Sequence, residues 1–228
     1  MKKIIAICLS LLVLFSLTGC EEVNKDAKKF KEDYEKLNGE KNKSGKEYRT
    51  ITVDEDNPFT YTTVDELNKK IDNKESFIVY FGANWCPWCR DMLPTAIKKA
   101  KEYNIKTIYY IDVRPDNIID NDIRDIYSLD DNKEIYLSHE GTEAYHTFTE
   151  SLKDILKDYK SGDVDVAGTK FEGAKRIGAP TFLLVKDGKG VARENGTSSL
   201  LTDPYMELTD EMIKDMEKLF DNFYSQYK

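Results

Sequence analysis

The sequence predicts an α/β domain, a three-layer α/β/α arrangement around a mixed sheet, with a helical insertion ahead of a late strand. Three observations predict it. Phe77 to Phe81 and Thr107 to Val113 are apolar runs too short for helices and apolar on both faces, as strands of a covered sheet are. Between them Leu93, Ala96, Ile97 and Ala100 recur at helical spacing, which makes a βαβ unit with a right-handed crossover. Further on, Thr181 to Val185, the turn Lys186-Asp187-Gly188-Lys189-Gly190 and Val191 to Glu194 read as a hairpin.

The composition sets the limits. With 228 residues, 40% hydrophobic and 33% charged, the chain has enough apolar content for one buried domain with accessories. A net charge of -8 argues against nucleic acid as a partner, because neutralising phosphates needs a basic face. Four cysteines are too few for a disulfide-stapled scaffold, and no apolar stretch after the first segment is long enough to span a bilayer.

Taken in order, Met1-Lys2-Lys3 and the apolar run Ile4 to Leu17 have the pattern of a signal peptide, too short for a stable spanning helix. Leu17-Thr18-Gly19-Cys20 closes it and resembles the lipobox of bacterial lipoproteins. That resemblance implies removal of residues 1–19 and a diacylglycerol thioether on Cys20, which would hold the protein on the outer face of the cytoplasmic membrane. The Lys-rich, Arg-poor composition, with much Ile, Asn and Asp, is a bias associated with AT-rich Gram-positive bacteria.

Residues 20–47 are expected to form a lipid-anchored helix and linker. Val23, Ala27, Phe30, Tyr34 and Leu37 form a helical stripe, which leaves open whether the helix packs on the domain or acts as a stalk. The domain is expected over 48–228. It begins with a strand at Tyr48 to Val53 and a helix from Thr63 to Asn73, opened by the capping box Thr63-Val64-Asp65-Glu66. The insertion, about 114–170, is expected to be helical, with one helix marked by Phe148, Leu152, Ile155 and Tyr159 and another by Ile118, Ile119, Ile123, Ile126 and Tyr127. Its acidic residues, Asp116, Asp120, Asp122, Asp125, Asp130, Asp131 and Glu134, read as a solvated face, and more sharply as a cover that draws cationic polypeptides to the site. A last helix carries Met212, Met216, Leu219 and Phe223.

The chemistry sits at Trp85-Cys86-Pro87-Trp88-Cys89. Two cysteines three apart at a helix start lie one turn apart on one face, within reach of a disulfide. Cys86 at the helix N-terminus is expected to be a stabilised thiolate and the nucleophile, and Cys89, a turn deeper, the resolving thiol. Pro87 is tolerated in the first turn because no intrahelical donor is lost there. A zinc site would need two more ligands, and His139 and His146, seven apart in a polar segment, match no ligand pair, so no metal is expected. A bridge across three residues stabilises little, which favours a redox role.

Phe81 to Pro94, Gly178-Ala179-Pro180-Thr181 and the hairpin Phe182 to Gly196 resemble a thioredoxin-fold thiol–disulfide oxidoreductase. The Lys74-to-Gly82 run and the acylated leader are similar, within that superfamily, to the accessory thiol oxidoreductases encoded with bacteriocin exporters. The resemblance implies a kink at Pro94, a cis Pro180 facing the cysteines, an Ala179 backbone that pairs with extended substrate, and apolar substrate contact at Trp85, Pro87, Trp88 and Pro180. Two departures stand out. Tyr80 occupies the position where the family often has a buried Asp or Glu that takes the proton of the resolving thiol, and a phenol is a poor base at neutral pH, so resolution would fall to water or a residue of the insertion. Pro87-Trp88 replaces the Gly-Pro of strongly reducing members, which places the potential between the extremes of roughly −270 and −120 mV.

The expected function is thus an extracytoplasmic, membrane-anchored oxidoreductase acting on cysteine-containing exported proteins, without a bound cofactor, served by a membrane electron carrier if it is a reductase. The alternative is a non-catalytic lipoprotein that escorts an exported peptide.

Overall fold

Every residue of the strand Phe77–Gly82 is buried, and the sheet is built outward from it. The computed structural model describes residues 24–227; the signal segment and Cys20 lie outside the described residues. Chain order begins with α1 (Lys25–Glu35), β1 (Phe59–Tyr61), α2 (Val64–Asp72), β2 (Phe77–Gly82), α3 (Pro87–Glu102) and β3 (Ile108–Asp112). The insertion holds β4 (Ile126–Leu129), β5 (Ile135–His139), α4 (Glu143–Ser151) and the short strands β6 (Lys157–Asp158), β7 (Lys160–Ser161), β8 (Val164–Asp165) and β9 (Lys175–Arg176). The chain closes with β10 (Thr181–Lys186), β11 (Lys189–Glu194) and α5 (Asp210–Tyr224).

The main sheet runs β1-β3-β2-β10-β11. The first three strands are parallel, and β10 and β11 run antiparallel to their neighbours. Alternation along the strands splits the core into two layers. On one face Tyr80 stacks on Phe182, and Phe182 meets Phe220 and Phe223 of α5 edge-on. On the other face Phe81 packs against Phe148 of α4.

The expected strand at Tyr48 to Val53 does not form. Side chains of α1 and the turn after it supply the hydrogen bonds a neighbouring strand would have given. Asn38 bonds both backbone groups of Ile51, Glu35 accepts from the Val53 amide, and Lys31 donates to the Val53 carbonyl. The first strand of the sheet is β1 instead, three residues that the sequence pattern did not mark. Helix α1 packs on the domain: Phe30 stacks on Phe59 at 4.1 Å, and Phe30 and Tyr34 share the main core.

The insertion is not wholly helical either. In place of the expected helix over Ile118 to Tyr127, a 3-10 turn at Pro115–Asn117 with left-handed Asp116 and Asn117 and a second at Ile119–Asn121 lead into the hairpin β4–β5. Pro115 and the Asp/Asn-rich turn residues defeat the helical spacing of the isoleucines. Helix α4 ends at Ser151; Tyr159 leaves its stripe to pack with Tyr127, Val164 and Val166 in a small satellite core. The acidic residues do not form a helix face. Asp130 accepts from the amides of the β4–β5 turn, Asp125 bonds Gly141 and His146, and Asp122 is buried.

Candidate active site

Helix α3 begins one residue after Cys86, which is its N-cap; Pro87 takes the first helical position and Pro94 lies inside the helix. The Cys86 sulfur accepts from the Cys89 amide at 3.3 Å and donates to the Ala179 carbonyl at 3.3 Å. Ala179 leads into a cis peptide bond to Pro180. Cys86 is 4% exposed and Cys89 fully buried, both as free thiols. The fold therefore brings together Cys86, Cys89, Pro87, Ala179 and Pro180, with Trp85 and Trp88 half-buried at their edge.

Burial pushes the Cys86 thiol well above its ordinary value, and the neighbouring Cys89 adds to the rise; the Cys89 amide and the Arg124 guanidinium pull the other way. The helix start acts on the sulfur in the expected direction, through the Cys89 amide, and burial opposes it. A helix N-terminus is legible from spacing, whereas the Ala179 loop that closes over the sulfur and excludes water is not.

That loop is held from the insertion. The Ile177 amide donates to the Tyr145 hydroxyl at 3.1 Å, and Arg124 donates to the Ile177 carbonyl at 3.3 Å. Arg124 also makes two parallel bonds to Asp122, Nε to Oδ1 and Nη2 to Oδ2, each 2.8 Å. Asp122 accepts a third bond from Arg114 Nε at 2.7 Å. Arg114 lies over the Trp85 ring, and its carbonyl accepts from the Trp85 indole at 3.0 Å. One buried carboxylate thus ties both walls of the site, the cis-proline loop and Trp85. The three bonds from guanidinium groups hold the Asp122 carboxyl below its usual range although burial pushes it up.

Behind Cys89 the arrangement is different. The Tyr80 hydroxyl lies 3.1 Å from the Tyr34 hydroxyl, both rings fully buried, and Tyr80 is close enough to Cys89 to feel its charge. Burial raises both phenols far above their ordinary value, so neither is a base at neutral pH. Gly82 makes the room: a Cβ there would fall 2.2 Å from Tyr80 Cζ. The group facing the Tyr80 hydroxyl comes from α1. Next to Cys89, Arg90 is fully buried and donates to the carbonyls of Arg49, Tyr34 and Asn84 and to Asn38 Oδ1. It locks the N-terminal segment onto the helix that carries the cysteines.

Sequence reading missed Tyr34, Arg90, Arg114, Asp122 and Arg124. A signal was present. The chain has 34 basic residues, yet only Arg49, Arg90, Arg114, Arg124, Arg176 and Arg193 are arginine, and none of the six is exposed. In a lysine-rich chain a retained arginine marks a place where a planar, multiply bonded cation is needed.

Residues 58–161 match the family model described as Thioredoxin. No curated protein matches the chain. Among solved structures it is similar to oxidized thioredoxin O2 from Arabidopsis thaliana, at 14% identity and a TM-score of 0.32, over 74% of this chain and 96% of that one. With its mixed sheet flanked by helices, the cysteine pair at the start of α3 and the matched segment, the chain is a thioredoxin-fold protein, a fold that supports thiol–disulfide redox chemistry in general.

Proposed function

We propose that this protein is an extracytoplasmic, membrane-anchored thiol–disulfide oxidoreductase that exchanges disulfides with exported, cysteine-containing proteins. The observation that carries the reading is the position of Cys86 Sγ, between the Cys89 amide and the Ala179 carbonyl beside cis Pro180. At rest the sulfur keeps its proton and donates it to Ala179. A substrate strand whose N–H takes over that carbonyl leaves the sulfur with the Cys89 amide, and with Arg124 nearby, both favouring the anion.

In the reducing direction Cys86, once deprotonated, attacks one sulfur of the substrate disulfide. That S–S bond breaks, a Cys86–substrate disulfide forms, and the departing substrate thiolate takes up a proton. Cys89 loses its proton and attacks Cys86 Sγ; the second substrate thiolate leaves and is protonated. The substrate gains two electrons and the Cys86/Cys89 pair loses them, to be restored by a membrane electron carrier. In the oxidising direction the same steps run backwards.

Cys20, by its lipobox, supplies the anchor. Cys89→Ser is expected to accumulate covalent adducts on Cys86 when the protein is expressed in its own cell envelope, visible on non-reducing gels and absent from Cys86→Ser. A protein that binds exported peptides equally well with both cysteines changed to serine, and forms no adduct, is an escort and not an exchanger. Loss of membrane association in Cys20→Ala checks the anchor, and the potential of the Cys86/Cys89 pair, read against glutathione, assigns the direction.

A further inference from the structure

Beside Trp88 and cis Pro180 lies a cleft of about 550 Å³ that also takes in Thr181, Arg193, Thr197 and Ser198. Two of its lining groups are buried and unsatisfied. Thr181 is fully buried, and its hydroxyl has no hydrogen-bond partner among the described residues. The buried Nε of Arg193 has none either, and no carboxylate forms an ion pair with that guanidinium among the described residues. The neighbouring acid, Glu194, is turned to the backbone, where it accepts from the amides of Asn195 and Gly196.

The register of the hairpin places the two on one side of the sheet. Arg193 faces Leu183 across β10–β11, and Thr181 is two residues from Leu183, so their side chains project from the same face. Thr181 directly follows the proline that flanks Cys86. A buried guanidinium N–H and a buried hydroxyl left unpaired are costly. The arrangement gains most from a planar anion that accepts from both donors.

Resting on the thiol–disulfide reading above, we propose that this cleft is a carboxylate subsite, in which Arg193 and Thr181 hold a substrate carboxylate close to the cysteine that reacts with Cys86. The carboxylate is either the side chain of an Asp or Glu near that cysteine or the C-terminus of a peptide ending close to it. Burial weakens the hold of Arg193 on its proton by more than the nearby Glu194 charge, which forms no ion pair with it, strengthens it. The subsite selects among substrates and takes no part in the exchange of sulfur.

The test uses three cystine peptides that differ only near the reacting cysteine: one with Glu and an amidated C-terminus, one with Gln in its place, and one with Gln and a free C-terminal carboxylate next to the cysteine. The wild-type protein is expected to favour at least one carboxylate peptide over the neutral one by about tenfold in kcat/KM, mostly through KM, as one charge-assisted hydrogen bond gives. The ratio falls to about one in Arg193→Gln and keeps part of its value in Arg193→Lys. Which carboxylate peptide is preferred identifies the source. Calorimetry of the serine versions of the peptides on the Cys86→Ser Cys89→Ser double variant reads the same preference without any exchange. If preference persists there while the wild type exchanges no peptide, the redox reading fails and the subsite stands. Equal binding and equal turnover of the three peptides, or a preference unchanged in Arg193→Gln, overturns the subsite.

Discussion

Arg90 and Arg124 are both buried, and they are neutralised in opposite ways. Arg90 sits behind the resolving cysteine and bonds only neutral oxygens, three carbonyls and one side-chain amide. Arg124 sits near the nucleophile and is paired through two bonds with a buried carboxylate. The consequence is visible in their protons: burial weakens the hold of Arg90 on its proton, whereas Asp122 more than offsets burial at Arg124. The first arrangement cross-links backbone and fixes the N-terminal segment. The second orients a loop and leaves a cation close enough to favour an anionic Cys86. The same residue type thus serves rigidity on one side of the disulfide and chemistry on the other, and the partner decides which.

The largest effect is expected from removing the anion of the second arrangement. Asp122→Asn leaves Arg124 buried without its counter-charge and Arg114 without its anchor, a loss of about 3 to 5 kcal/mol by urea unfolding. Turnover is expected to fall as well, because the Ile177 carbonyl and Trp85 lose their common tie. Changing Asp122 and Arg124 together to apolar residues of similar size recovers most of the stability and little of the turnover. A double variant with full activity would show that the carboxylate merely fills space.

Removing the cation of the first arrangement is expected to cost less. Arg90→Met takes away the buried charge together with its bonds and leaves only neutral acceptors behind, so about 2 to 3 kcal/mol is lost. Protease sensitivity is expected to rise between Tyr34 and Arg49, the segment Arg90 holds. A loss larger than that of Asp122→Asn would reverse the comparison, and would mean that docking of α1 carries more of the fold than the insertion does.

How far these arrangements were legible in the sequence follows from what each depends on. Phe77 to Gly82, the Cys86 helix start, the β10–β11 hairpin and the Thr63 capping box are local patterns, and the chain carries them in adjacent residues. Tyr48 to Val53 has the alternation of a strand, but its hydrogen bonds go to side chains of Lys31, Glu35 and Asn38, and no local rule foretells such a partner. The acidity of Asp122 was plain, while its burial between two arginines is a property of the folded insertion. Cys86 shows the same limit within one residue. The amide that favours its anion is three positions away and follows from spacing; the loop that buries it arrives from Ala179, and only the resemblance, not a local pattern, placed Pro180 of that loop opposite the cysteines.

A smaller effect concerns Asp112, at the end of β3 beside Gly82, whose carboxyl is pushed up to about 6 by burial, with the Arg114 amide as its main compensation. Because the folded pKa lies above the unfolded value, the folded protein binds the extra proton between about pH 4 and pH 6. Stability from this group is therefore present at acid pH and is lost as pH rises through 6. Asp112→Asn is expected to gain on the order of 1 kcal/mol at pH 7 and to flatten that part of the stability profile, with no such gain at pH 4. Asp91, likewise pushed up to about 6, retains its own share of the slope, so a residual slope is expected. A variant less stable at pH 7 than at pH 4 by the wild-type margin would place the slope elsewhere.

The smallest effect sharpens the contrast between the two sides of the disulfide. Tyr80→Phe removes a hydroxyl that bonds the Tyr34 hydroxyl in the core near Cys89, and it changes no charge. A stability loss of about 1 kcal/mol is expected for the hydrogen bond, because Tyr34 is left with a poorer partner in the core. The functional loss should appear in one step only. Formation of the Cys86 adduct depends on the Cys89 amide, Arg124 and the Ala179 loop and stays near the wild-type rate; its resolution by Cys89 slows several-fold, since the sulfur that becomes an anion loses a nearby hydroxyl dipole. Both phenols titrate far above neutrality, so Tyr80 acts here as a neutral dipole, and the variant should keep the wild-type pH dependence of resolution between pH 6 and 8. Stopped-flow measurement of the two steps separates these outcomes. Equal slowing of both steps would mean that Tyr80 supports the whole site rather than Cys89, and a shifted pH profile would mean that the phenol pair carries the proton after all.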